Sequence, residues 1–130
     1  MTTETQAEKT IYCLKLEEMV MKTGTKAEKT ICCLKLKGKM DASTFPNIKK
    51  KINALIEEGH IFLILDLHEV YFIDSSGLGC LVACLRKITE KGGDIKLCGI
   101  QDPVRLVIEL TQLHKFFDIF DDVPSAKTSF

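Results

Sequence analysis

Apolar residues recur along this chain with two periods, one typical of strands and the other typical of helices. An almost unbroken apolar run fills residues 60–67, as expected for a strand that is buried on both faces. From residue 78 to residue 88 the apolar positions follow helical spacing, with charged residues between them. The pattern predicts a buried strand, a short connector, and a helix whose first turn holds two serines and two glycines.

Ser75 and Ser76 would lie at the N-terminus of this helix. Unpaired backbone N–H groups and the positive end of the helix dipole meet there, so the position favours an anion such as a phosphoryl group on serine. The alternative is that one of the serines only caps the helix, because serine is among the preferred N-cap residues. On geometry alone, the cap is the simpler interpretation.

Turn and cap signals divide the rest of the chain. The predicted elements are a strand over 29–37, a helix over 42–58 that starts near Ser43 or Thr44, a strand over 94–100, a helix from Asp102, a strand over 116–121 and a short last helix from Pro124. Alternation along the strand over 29–37 predicts that Ile31 and Cys33 lie on one side of the sheet. The other side would carry Cys32, Leu34 and Leu36.

Two expectations concern residues near the ends of elements. Tyr71 and Phe72, in the approach to residues 73–79, are interpreted either as a recognition patch or, more commonly for such residues, as a hydrophobic lid over the connector. In the helix from Asp102, the spacing turns Val104, Val107 and Ile108 inward, with Leu110 as a further candidate.

The order of the elements predicts an α/β fold, with helices packed against a mixed sheet of four to five strands. Right-handed crossovers make the later strands parallel. Loops at the carboxyl ends of parallel strands would then hold Asp41 close to residues 74–77. Taken alone, Asp41 is equally well interpreted as a turn or cap residue.

A repeat occupies the first part of the chain. Residues 5–16 return as residues 25–36, with ten of twelve positions identical. Because only the second copy leads into 38–41, we expect it to be the central strand and 17–22 to be the strand before it, joined by a turn at 23–25. Residues 1–16 would be a duplicated extension to a domain over 17–130. The first copy could add an edge strand, pair with another molecule, or be disordered.

Composition excludes several classes of protein. The 130 residues include 18 basic and 18 acidic side chains, so no general attraction to nucleic acid or an anionic membrane is expected. No apolar run approaches the roughly 20 residues of a membrane span. The first residues lack the pattern of a secretion signal, and a cytoplasmic protein is expected.

The six cysteines favour neither disulfides nor a metal site. Cys80 and Cys84 share a helix face, but no CxxC pair occurs and the three histidines are scattered singly. We expect reduced thiols, no bound metal and no cofactor.

The string 74–79 (DSSGLG) resembles the signature of the STAS domain in bacterial anti-sigma factor antagonists. The likeness extends from 37–41 to 110–117. It implies the fold outlined above, an acidic residue at Asp41, and a phosphoacceptor serine at Ser75. The partner or phosphate site implied with them comprises Asp41, Asp74, Ser76, Gly77 and Leu78.

The resemblance also implies a partner. The unmodified protein would bind an anti-sigma factor that is a serine kinase, thereby freeing a sigma factor. Phosphorylation of Ser75 would switch this off, and a serine phosphatase would reverse it. Two alternatives remain open: a STAS module of another signalling assembly, or a domain that binds a nucleotide or small anion. The oligomeric state is left open.

An enzyme is not expected. The nucleophile elbow, the P-loop and the dinucleotide-binding glycine pattern are all absent from the sequence.

Overall fold

A computed structural model describes residues 11–13 and 31–130. The strands of this part are β1 (Ile11–Cys13), β2 (Ile31–Met40), β3 (Phe62–Ile73), β4 (Asp94–Cys98) and β5 (Asp118–Phe120). Its helices are α1 (Phe45–Glu57), α2 (Ser75–Glu90), α3 (Asp102–Leu110) and α4 (Val123–Ser129), with a 3-10 helix at Leu113–Lys115. None of these helices combines the length and the apolar character that a membrane crossing requires.

The strands form one sheet in the order β1-β2-β3-β4-β5. Strand β1 is antiparallel to β2, whereas β2, β3, β4 and β5 are parallel to one another. A row of apolar residues crosses the parallel strands in register, consisting of Leu34, Leu65, Leu97 and Ile119. The predicted mixed sheet with helices against it is therefore confirmed.

Part of the repeat lies at the edge of this sheet. Residues Ile11–Cys13 of the first copy pair with residues 34–36 of the second copy, which continues as β2 in the sheet interior. An edge strand is one of the three possibilities left open for the first copy. The strand expected at 17–22 and its turn at 23–25 lie outside the described residues, so the division of the chain at residue 16 stays a prediction.

The sheet has two unequal faces. The first face carries Cys32, Leu34 and Leu36 of β2 and is covered by apolar residues of α1, α2 and α3. The second face carries Ile31 and Cys33 and contacts α4 through a smaller apolar cluster. The alternation along β2 thus assigned its residues to the correct faces.

Strand β3 is longer than predicted. It continues through 68–73 because β2 remains paired with it as far as Met40, which pairs with Ile73. Tyr71 and Phe72 are consequently strand residues with 54% and 42% of their surface exposed, and the interpretation as a lid is wrong. The ammonium of Lys39 lies 5.9 Å from the centre of the Phe72 ring.

Helix α3 differs from the prediction at its last residue. Val104 and Ile108 are buried and Val107 packs against the core, as their spacing predicts. Leu110, however, is 74% exposed. Helix α3 ends at this residue, and the chain turns away through Gln112, whose φ is 63°. The expectation that Leu110 faces inward is therefore wrong, because the helix ends there.

Candidate functional site

The carboxyl ends of β2 and β3 bring two loops together. Asp41 follows Met40 and Asp74 follows Ile73, and these two preceding residues are paired across the strands. The backbone N–H of Asp74 also donates to the carbonyl oxygen of Met40 at 3.2 Å. Both carboxylates therefore lie at the same edge of the sheet, as the order of elements predicts.

Asp74 is the N-cap of α2. Its Oδ1 accepts hydrogen bonds from the backbone N–H groups of Ser76 at 2.9 Å and Gly77 at 3.1 Å. The interpretation of Ser75 or Ser76 as the cap is therefore wrong. Aspartate caps helices as well as serine does, and Asp74 stands one residue earlier. Ser75 and Ser76 occupy the first two positions of the helix instead.

Gly77 allows the first turn of α2 to approach the end of β2. A Cβ atom at this position would lie 2.3 Å from the carbonyl oxygen of Met40 and 2.9 Å from Cγ1 of Ile73. Any side chain would thus push the helix away from the strand. Gly79 differs, since a Cβ there would meet no atom within 4 Å. Close packing of α2 against β2 therefore requires glycine at position 77 but not at position 79.

The two serines differ in their surroundings. Ser75 is exposed, whereas Ser76 is half-buried and Gly77 is buried. Leu78 is also half-buried and packs against the core of the first face. Within the signature, Ser75 is therefore the hydroxyl that a second protein reaches most easily.

Asp41 is held in a turn at the start of α1. Its Oδ1 accepts from the hydroxyl of Ser43 at 2.7 Å and from the backbone N–H of Ser43 at 3.0 Å. Its own N–H donates to Oγ1 of Thr44 at 3.0 Å. The hydrogen bond from the Ser43 hydroxyl is the main reason that the pKa of Asp41 lies below its ordinary value of 3.8. Asp41 is thus an ionised carboxylate in a fixed orientation near neutral pH.

Sequence reasoning did not identify Ser43 as part of this site. A serine two residues after an aspartate is a common turn pattern, because the aspartate side chain accepts hydrogen bonds from the backbone two residues ahead. That pattern is the signal that could have revealed it.

Among the described residues, the histidine nearest to Ser75 along the chain is on β3. This residue, His68, lies five residues before the end of β3. In an extended strand, five residues place it about 16 Å from Ile73, the last residue of the strand. The carbonyl oxygen of His68 accepts a hydrogen bond from the Gln101 side chain at 2.6 Å. His68 is therefore badly placed to activate Ser75 as a nucleophile.

The described part of the chain contains no cluster of three or more histidine, cysteine or acidic side chains that could hold a metal ion. Cys80 and Cys84 do share a face of α2, and both are buried in the core. The hydrogen bond with the Cys84 thiol lowers the pKa of Cys80, and the same contact raises that of Cys84. Both residues belong to the apolar cluster on the first face of the sheet, so the pair is part of the core packing.

Known proteins similar to this chain share both its sequence pattern and its fold. The sequence profile of the STAS domain matches residues 23–126. An anti-sigma F factor antagonist of Paenibacillus polymyxa is 28% identical over 92 residues, which are 70% of this chain and 79% of that protein.

Solved structures support the fold. An anti-sigma factor antagonist from Mycobacterium paratuberculosis has a TM-score of 0.73 at 24% identity, covering 98% of this chain and 97% of the other. The Bacillus cell fate determinant SpoIIAA, in its phosphorylated form, has a TM-score of 0.60 at 22% identity, covering 76% of this chain and 88% of the other.

Proposed function

Because the chain belongs to the STAS domain family, we propose that it is an anti-sigma factor antagonist that phosphorylation of Ser75 switches off. The observation that carries the proposal is the exposed hydroxyl of Ser75 at the first position of α2, directly after the capping Asp74. The name of the Paenibacillus polymyxa relative supports the function, and the phosphorylated form of SpoIIAA supports the modification.

The proposed partner of the unmodified protein is an anti-sigma factor with serine kinase activity. Binding would occupy this anti-sigma factor and free its sigma factor for transcription. The same kinase would then phosphorylate Ser75, and a serine phosphatase would restore the binding form.

Charge explains how the modification would act. A phosphoserine adds a charge of about −1.5 to −2 at neutral pH. At Ser75 this charge would join those of Asp41 and Asp74 on a small surface, and the sum would repel an acidic or apolar partner surface. The N-terminus of α2 accommodates a negative group, because its dipole is positive there. The switch would therefore act at the interface and leave the fold in place.

Ser75 is preferred over Ser76 as the acceptor because of exposure. Ser76 is half-buried, so its hydroxyl is less accessible to a kinase. We assign Ser76 and Gly77 to shaping the turn, and Leu78 and Asp41 to contact with the partner.

The test is intact-mass analysis after incubation with ATP and a candidate anti-sigma kinase from the same genome. Wild type should gain one phosphate, Ser75→Ala should gain none, and the matched variant Ser76→Ala should gain one. A phosphate that persists in Ser75→Ala would assign the acceptor elsewhere. If none of the three proteins is modified by a kinase with demonstrated activity, the proposed switch is wrong.

A binding measurement tests the other half of the proposal. The unmodified protein should bind the kinase in isothermal titration calorimetry, and the phosphorylated protein should bind at least tenfold more weakly. Equal affinities would show that phosphorylation does not control this partner. They would favour a STAS module in a different signalling assembly, with the same serine and another kinase.

Nucleotide or anion binding at the same helix end is the less favoured function. The carboxylate of Asp74 already accepts from the N–H groups of Ser76 and Gly77, and it would compete with a bound anion. We therefore expect ATP or GTP at millimolar concentration to leave the melting temperature unchanged. A rise in melting temperature that saturates with nucleotide would contradict this.

A further inference from the structure

An open groove runs along the outward side of α2. Two adjoining cavities of about 470 and 420 Å³ share Val82, Arg86 and Leu113 among their lining residues, so they form one continuous groove. We call it the α2 groove and define it by six residues, namely Leu78, Val82, Leu85, Arg86, Leu113 and Phe116.

The walls of the α2 groove are mainly apolar. Val82 and Leu85 on α2 face Leu113 and Phe116 across the groove, and Phe116 has 69% of its surface exposed. Along α2 the lining extends from Leu78 to Glu90, about 18 Å or three helical turns. These dimensions suit a single helix laid lengthwise against α2.

Two charged side chains line the groove, Arg86 in its middle and Glu90 at one end. Arg86 lines both cavities, and none of the ion pairs found among the described residues involves it. A guanidinium group beside apolar walls selects a carboxylate on whatever binds there, because an arginine–carboxylate pair is strengthened when water is excluded. The preferred occupant is thus apolar on one face and carries an acidic residue that reaches Arg86 and stays away from the carboxylate of Glu90.

The α2 groove is continuous with the surface around Ser75. It begins at Leu78 and Gly79, one turn after Ser75 on the same helix. At Gly79 no atom lies within 4 Å of where a side chain would start, so the helix backbone is open to a neighbour. A protein that contacts Ser75 can therefore continue into the groove without a break.

We propose that the α2 groove binds an amphipathic helix of the anti-sigma factor kinase. Its apolar face would lie against Val82, Leu113 and Phe116, and one of its acidic residues would pair with Arg86. Helices bind hydrophobic grooves in this manner in many complexes. The inference rests on the proposed function, since it adds a second contact region for the same partner.

The test compares the affinity of purified candidate kinase for four variants. Phe116→Glu should weaken binding at least tenfold, whereas Leu110→Glu, equally exposed at 74% but outside the groove, should stay within twofold of wild type. Arg86→Glu should weaken binding about fivefold, and Lys91→Glu, just beyond the end of α2, should not. All four positions are exposed, so the melting temperatures should match that of wild type.

A second measurement uses the unaltered protein. In hydrogen exchange with and without the kinase, residues 111–116 should exchange more slowly in the complex. Full binding by Phe116→Glu together with unchanged exchange at 111–116 would overturn the inference and leave the proposed function intact. Failure of wild type to bind the kinase would overturn both.

A competing occupant is a second copy of this chain. If wild type alone shows a concentration-dependent dimer in sedimentation that Phe116→Glu abolishes, the groove is a self-association surface and the inference is wrong. A wild-type monomer that binds the kinase through the groove is the expected result.

Discussion

The first turn of α2 has an inner side and an outer side that meet different demands. On the inner side, Asp74 caps the helix and Gly77 lets it approach Met40. On the outer side, Ser75 is exposed and Gly79 has open space beside it. Four residues of one six-residue signature thus divide between holding the turn and presenting a surface.

This difference predicts that substitutions on the two sides have different effects on stability and on binding. Changes on the inner side should reduce stability, and any loss of binding would follow from the damaged turn. Changes on the outer side should leave stability nearly unchanged and alter binding or phosphorylation directly. Three predictions test this separation and a fourth tests the neighbouring turn of Asp41, in order from the largest expected effect to the smallest.

Gly77→Ala should be the most damaging change. The added methyl group would overlap the carbonyl oxygen of Met40, which is backbone and cannot move aside cheaply. Overpacking of this kind costs about 1–3 kcal/mol of unfolding free energy, to be measured by urea denaturation followed by circular dichroism. The matched variant Gly79→Ala should instead gain up to about 1 kcal/mol, because alanine favours helix over glycine. Equal effects at both positions would remove the distinction between the two sides.

Asp74→Ala should lower the unfolding free energy by about 0.5–2 kcal/mol, the usual cost of losing an N-cap side chain. The N–H groups of Ser76 and Gly77 would lose their acceptor. Asp74→Asn keeps an oxygen acceptor and should recover most of the loss in the same denaturation experiment. If Asn is as damaging as Ala, charge rather than hydrogen bonding holds the turn.

Most of the fold could be predicted from the sequence, because the first face of the sheet imposes a strict apolar pattern. Alternation in β2 and helical spacing in α1 and α2 both follow from burial against that face. The second half of β3, residues 68–73, was missed because this prediction depends on burial. Its exposed residues Tyr71 and Phe72 carry no burial pattern, and only pairing with β2 shows that they belong to a strand.

The candidate site was predicted less completely. The sequence placed Asp41 and Asp74 at one edge of the sheet, but the capping residues considered were Ser75 and Ser76 and not Asp74, although aspartate and serine have nearly equal preferences for that position. The role of Gly77 depends on a contact with Met40, 37 residues away in the chain. The α2 groove depends on Leu113 and Phe116, which lie beyond α3. Such long-range contacts leave no local signal.

Ser75→Glu should separate the outer side from the inner side. A negative group in the first turn is favoured by the helix dipole but lies near Asp41 and Asp74, so unfolding free energy should change by less than about 1 kcal/mol. Affinity for the anti-sigma kinase should fall at least tenfold, in the direction expected for phosphorylation. Ser76→Glu is the control, and its half-buried site should make it the less stable variant. A large loss of stability in Ser75→Glu would indicate that phosphorylation acts by destabilising the fold and not at the interface.

Ser43→Ala should have the smallest effect, confined to the titration of Asp41. Losing the hydroxyl donor should raise the pKa of Asp41 towards its ordinary value, although the backbone N–H of Ser43 remains a donor. Because the folded-state pKa is lowered, the bond stabilises the fold above the unfolded-state pKa, and this contribution disappears as the pH falls through the folded-state value. Wild type and variant should therefore differ at neutral pH and converge in acid.

Carboxyl chemical shifts in an NMR titration would measure the pKa of Asp41 directly. Asp122 is an internal reference, since its pKa is lowered by Ser125 in a separate turn and should not respond to Ser43→Ala. An unchanged Asp41 pKa in the variant would show that the Ser43 hydroxyl does not orient this carboxylate. The Asp41 carboxylate would then be held by the backbone of the turn alone, and Ser43→Ala should leave binding of the kinase unaltered.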